Sequence, residues 1–207
     1  MMVYDSNRDG TKEHRSDGKN FMPLLMKLFA AASSLAAVCA ALLYVFTRGD
    51  VWFTLAVTFG TTAYHFWMRL LVGLLFNGIM KNKADYTKKW FQVSPFEQRI
   101  YKILRVKKWK GKMPTYNPET FDPALHSWDE IAQAMCQSEL GHETIILLSF
   151  APIIASVWAG ALTAFLITSA VSAMLDLVFV IMQRYNRPRV VRLLNKQKAE
   201  RKNEPKP

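Results

Sequence analysis

A histidine between two glutamates, Glu139-Leu140-Gly141-His142-Glu143, offers the clearest proton-transfer chemistry in the chain. Helical steps of three and four place Glu139, His142 and Glu143 on one face. An imidazole beside a carboxylate is the usual general base, because the carboxylate fixes the tautomer and stabilises the imidazolium. Glu139 or Glu143 could fill that role. The plain alternative is a helix start that water solvates.

A second group is Gln183-Arg184-Tyr185-Asn186-Arg187-Pro188-Arg189. Three guanidiniums within six residues, with Tyr185 and Asn186 between them, suit forked recognition of phosphate or carboxylate. Positive anchoring at a membrane face explains the arginines equally well. It explains Pro188 less well, since proline fixes the backbone where the arginines must be aimed. A third group lies within apolar stretches: His65 and Arg69, one helical turn apart, and Asp176. Ionisable residues at that depth are costly and point to function. Counted from the polar ends, Arg69 lies about 15 Å deep and Asp176 about 9 Å. Arg69 can therefore reach Asp176, either to lock two helices or to serve a substrate. A metal is not expected: a carboxylate-bridged bundle needs Glu-x-x-His twice, and the chain has it once.

The elements that must position these groups follow from composition. Apolar residues make up 51% of the chain and charged residues 21%, and the two are segregated into blocks, which excludes a soluble globule, a disordered chain and a coiled coil. Uncharged stretches predict four membrane-spanning helices, at about 21–47, 51–79, 143–158 and 162–182. The last gives about 31 Å, one bilayer core. Arg48-Gly49-Asp50 and the neighbourhood of Gly160 supply tight turns, so the expected fold is all-α, two transmembrane hairpins joined by an amphipathic loop, 81–142. Pro152 predicts a kink in the third span, and Ser127-Trp128-Asp129-Glu130 is a capping box starting a helix at Trp128. Residues 1–20 and 196–207 read as disordered.

The net charge of +11 is not a nucleic-acid signature, because it flanks the apolar spans. Eleven basic residues against two acidic ones lie in 81–112, and nine against two lie in 184–207. By the positive-inside rule, the loop and both termini are cytoplasmic, against anionic inner-leaflet lipids. Cys39 and Cys136 are poorly placed to pair.

The heptapeptide 183–189, together with Glu139-Leu140-x-His142 and Val106-Lys107-Lys108-Trp109-Lys110, resembles the small bacterial membrane acyltransferases typified by glycosyl-diaponeurosporenoate acyltransferase, over roughly residues 60–195. Segment 21–47 is additional to that pattern. The resemblance implies transfer of a fatty acyl group to a hydroxyl of a membrane glycolipid. His142 would then be the base, oriented by Glu139 or Glu143. Arg184, Arg187 and Arg189 would bind the anionic donor or the developing oxyanion, with Tyr185 and Asn186 beside them. Trp109 and Lys110 would rest on headgroups, and the acyl chain would lie between the second and fourth spans, below Arg69, with Arg69 and His65 among the substrate-binding residues. An acyl thioester donor and no tightly bound cofactor are expected. The other readings are a different lipid-directed transferase, such as a methyltransferase, and a non-catalytic lipid-binding adaptor.

Overall fold

The computed structural model describes residues 21–203, so the expected disorder of residues 1–20 and 204–207 lies outside the described residues. Among the described residues the chain is helical, without strands: α1 (Phe21–Thr47), α2 (Asp50–Met80), α3 (Pro95–Ile103), α4 (Val106–Trp109), α5 (Trp128–Leu148), α6 (Pro152–Ala159) and α7 (Leu162–Asn203).

Local chemistry sets the boundaries. Arg48, at φ 53°, and Gly49 reverse the chain between α1 and α2. Capping boxes start α3, from Ser94 with Glu97, and α5, from Ser127 with Glu130. The connection between them holds α4 and two 3₁₀ turns, Lys110–Lys112 and Pro118–Phe121. Pro152 opens α6, so the expected kink is a break at residues 149–151 rather than a bend. Gly160, at φ 67°, makes the turn into α7; a left-handed backbone suits glycine there.

α7 differs most from expectation. It runs 42 residues, about 63 Å, or twice a bilayer core. Pro188 lies inside it without ending it. One lost N–H donor is tolerable here because Arg187 before the proline and Leu194 beyond it are both buried in packing that holds the helix on course. The stretch 196–203, expected to be disordered, continues the helix.

Buried and exposed surfaces are inverted relative to a water-soluble protein. Buried positions include Thr61, His65, Gln137, Glu139, Ser149, Ser169, Ser172, Asp176, Gln183 and Arg187, whereas Leu35, Phe46, Leu74, Leu147, Val157 and Trp158 are exposed. Apolar surface outside and polar groups inside, most of them hydrogen-bonded, suit a lipid solvent. Three helical segments are long and apolar enough to cross a membrane: Phe21–Thr47, Trp128–Ala159 and Leu162–Asn203. The protein is a membrane protein.

The expected second span, α2, falls short of that criterion. Its threonines, Asn77, His65 and Arg69 dilute its hydropathy, although the hydroxyls of Thr54, Thr58, Thr61 and Thr62 are bonded to carbonyls four residues back. α2 nevertheless packs intimately with its neighbours. Met68 and Val72 meet Ile145 of α5, Tyr64 donates to the Leu148 carbonyl at 2.9 Å, and Gln137 bonds Asn77 and the Asn82 amide. α1 lies along α2, with Phe29 stacked on Phe66 and Trp67 donating to Ser34.

Candidate active site

α5 and α7 run antiparallel, and two polar layers lie between them. In the deeper layer, Asp176 divides its carboxylate between two helices. Its Oδ1 meets His142 Nδ1 at 2.8 Å. Its Oδ2 accepts from Arg69 Nη2 at 2.6 Å and Nε at 3.1 Å. The rest of the Arg69 fork is taken by the His65 carbonyl and by Ser172, whose hydroxyl also meets Ser149.

A carboxylate can only accept, so Nδ1 of His142 carries hydrogen and its Nε2 is the basic nitrogen. The ring is stacked on Phe179 at 4.9 Å and retains 25% exposure, against 3% for Asp176. The imidazole is thus fixed on one side and accessible on the other, as proton transfer requires.

The second layer, one turn of α5 nearer the polar end, is closed. Glu139 is fully buried and held by two guanidiniums: Arg184 at 2.5 Å on one oxygen and Arg187 on the other. Arg187 also bonds the Phe91 carbonyl and lies over the Phe91 ring. Arg184 reaches Glu97 at 2.7 Å and the carbonyls of Trp90 and Gln92. These bonds fold the 89–103 segment back onto α7. Burial raises the Glu97 carboxyl, but bonds from Arg184 and Ser94 outweigh that and hold it at about 2.

Several expectations change accordingly. Glu139 does not orient His142, because Arg184 and Arg187 occupy both of its oxygens; Asp176 does so instead. Glu143 accepts from the Trp90 indole at 2.9 Å rather than from His142. Arg184 has four of its five N–H donors on Glu97, Glu139 and the Trp90 and Gln92 carbonyls, and Arg187 is buried against Glu139 and the Phe91 carbonyl, so neither is open to a donor anion. α2 and α7, the helices between which the acyl chain was expected, are bridged by the Arg69 bonds to Ser172 and Asp176.

Of the remaining candidates, His65 is buried edge-on to Tyr64, one turn from Arg69, with no hydrogen bond at either ring nitrogen. The Trp109 indole is bonded to the Leu104 carbonyl, within the loop. Lys110 donates to the Asn186 side-chain Oδ1, and Arg189 to the Tyr185 hydroxyl at 2.8 Å. Reading the sequence missed Glu97, Trp90 and the 90–92 carbonyls. The Ser94–Glu97 capping box, readable in the chain, marks that helix but not its partner. A cavity of about 410 Å³ near Tyr86, Asp129 and Gln133 belongs to neither layer; Asp129 is about 20 Å along α5 from His142.

The sequence model of the glycosyl-4,4'-diaponeurosporenoate acyltransferase family matches residues 87–196. The chain belongs to this family. The match takes in α3 to α6 and most of α7, hence both Glu139 and the His142–Asp176 pair, and begins after α2, later than the resemblance over 60–195 suggested. His65 and Arg69 are therefore supplied by a helix outside the matched region. No curated protein and no solved structure matches the chain.

Proposed function

We propose that the protein is a membrane acyltransferase that moves a fatty acyl group from an acyl thioester onto a hydroxyl of a glycolipid or similar membrane lipid. Family membership supports the reaction class, and the His142–Asp176 bond, with the imidazole open on its other side, is the observation that carries the mechanism. His142 Nε2 takes the proton of the acceptor hydroxyl as its oxygen attacks the thioester carbon. The C–S bond breaks, and the departing thiolate receives that proton from the imidazolium. Asp176 holds the tautomer and offsets the imidazolium charge. Arg69 positions Asp176 from α2.

In this reading α2 is a fourth span, its threonine hydroxyls bonded to its own backbone and its Arg69 to α7. The basic 81–112 segment, the polar half of α7 and both termini then face the cytoplasm, against anionic lipids, and the reaction occurs at that leaflet. Lipid mass spectrometry of cells lacking the protein, set against the same cells expressing it, tests the reading. The expected result is a lipid heavier by one acyl group only in the expressing cells. A different added mass, or identical lipid profiles, would contradict it.

A further inference from the structure

We infer that Lys110, Tyr185, Asn186 and Arg189 form a binding site for a phosphate-type anion on the polar half of α7. The charges at this end of the helix do not balance. Arg184 and Arg187 are matched by Glu97 and Glu139. Lys110 and Arg189 are brought together over one aromatic ring, with Lys110 Nζ 5.2 Å and the Arg189 guanidinium carbon 4.6 Å from the Tyr185 centroid. Among the described residues, neither has a carboxylate within ion-pair distance; their hydrogen-bond partners are the neutral Asn186 oxygen and Tyr185 hydroxyl.

Cation–π contact offsets part of the cost of crowding two like charges, but supplies no negative charge. Burial, and then the nearby Arg189, push the Lys110 ammonium down from its ordinary value, consistent with a half-buried cation short of counter-charge. The frame is built: Tyr101 supports Tyr185 edge-on at 5.9 Å, and Asn186, its oxygen taken by Lys110, retains its amide hydrogens for donation. A guanidinium fork, a point-charge ammonium and a neutral amide suit phosphate or diphosphate. Exposed Lys107, Lys108 and Lys112 add to the local positive potential.

Arg189 lies about 20 Å beyond Asp176 along α7. An anion held there is remote from the reacting carbon, and is either the phosphate end of a soluble acyl donor or the headgroup of an anionic lipid. Its role toward the donor rests on the acyl-transfer reading above; the anion site does not.

Full-length protein in phosphatidylcholine nanodiscs, titrated calorimetrically with inorganic pyrophosphate, tests the site. Saturable binding is expected, weakened about tenfold by Arg189→Gln or by Lys110→Gln, which is the loss of one charge-assisted bond. Both variants should melt with the wild type, since neither side chain belongs to the buried layers. Absence of wild-type binding, or undiminished binding by both variants, overturns the proposal.

Nanodiscs containing phosphatidylglycerol identify the source. A lipid headgroup filling the site lowers wild-type pyrophosphate affinity more than that of the variants. Site-specific binding that this lipid leaves undisturbed supports the soluble donor. Titration needs no turnover, so failure here and failure of the acyl-transfer reading are separately visible.

Discussion

Glu139 and Asp176 are both buried carboxylates at the α5–α7 interface, and each holds two basic groups, yet their surroundings differ in one decisive respect. Glu139 serves two arginines whose other bonds end on Glu97 and the 90–92 carbonyls, and with Glu139 and Arg187 buried its layer is closed. Asp176 serves one arginine and one histidine, and that histidine keeps a nitrogen free and a quarter of its side chain exposed. An arginine stays charged and can only donate, whereas a histidine can take up and release a proton near neutral pH. The Glu139 layer therefore anchors a loop to a helix, and the Asp176 layer can do chemistry.

The sharpest way to break the comparison is to remove Glu139. Glu139→Ala leaves Arg187 buried and Arg184 half-satisfied, and should cost about 3–5 kcal/mol, read as a large fall in melting temperature or in the yield of monodisperse protein. Activity and fold should fail together. A well-folded Glu139→Ala protein would remove the distinction between the layers.

A milder test titrates the rim of the same layer. Glu97 sits at about 2, against an ordinary 4.5. Because its folded-state value is depressed, its contribution is complete above about 4.5 and is lost as pH falls through about 2. Trp90, whose carbonyl shares Arg184 with Glu97, should report loosening of the 89–103 segment across that window by fluorescence. In Glu97→Gln the segment should already be loosened at neutral pH, and the wild-type-minus-variant difference should vanish below the window. Superimposable acid profiles would show that Glu97 does not clamp the loop.

Local features of this architecture were legible in the residues. Ser127 with Glu130 announced α5, Pro152 an interruption after it (expected as a kink, found as a break), and depth counting the Arg69–Asp176 pair. Each depends on a few neighbouring residues or on helical rise. The partner of His142 was not legible, because a turn spacing that puts Glu139 and His142 on one face cannot say which groups of α7 lie opposite. That choice depends on register, which puts Arg184 and Arg187 against Glu139 and leaves Asp176 for His142. Nor was the fate of the arginines legible, since three of their acceptors are backbone carbonyls of residues more than ninety positions away. The polar reach of α7 was misread because the lysine- and glutamate-rich stretch from 196 reads by composition as disordered, whereas the helix continues to Asn203.

The proposed chemistry depends on the accessible nitrogen of His142. Acyl transfer by purified His142→Ala, in membranes where the wild type acylates its lipid, should fall by about 10²–10⁴-fold, the usual worth of a general base. Thermal stability should stay near the wild-type value, because Asp176 keeps Arg69 as its partner. Wild-type turnover by this variant would contradict the account, and would move the chemistry away from the α5–α7 interface.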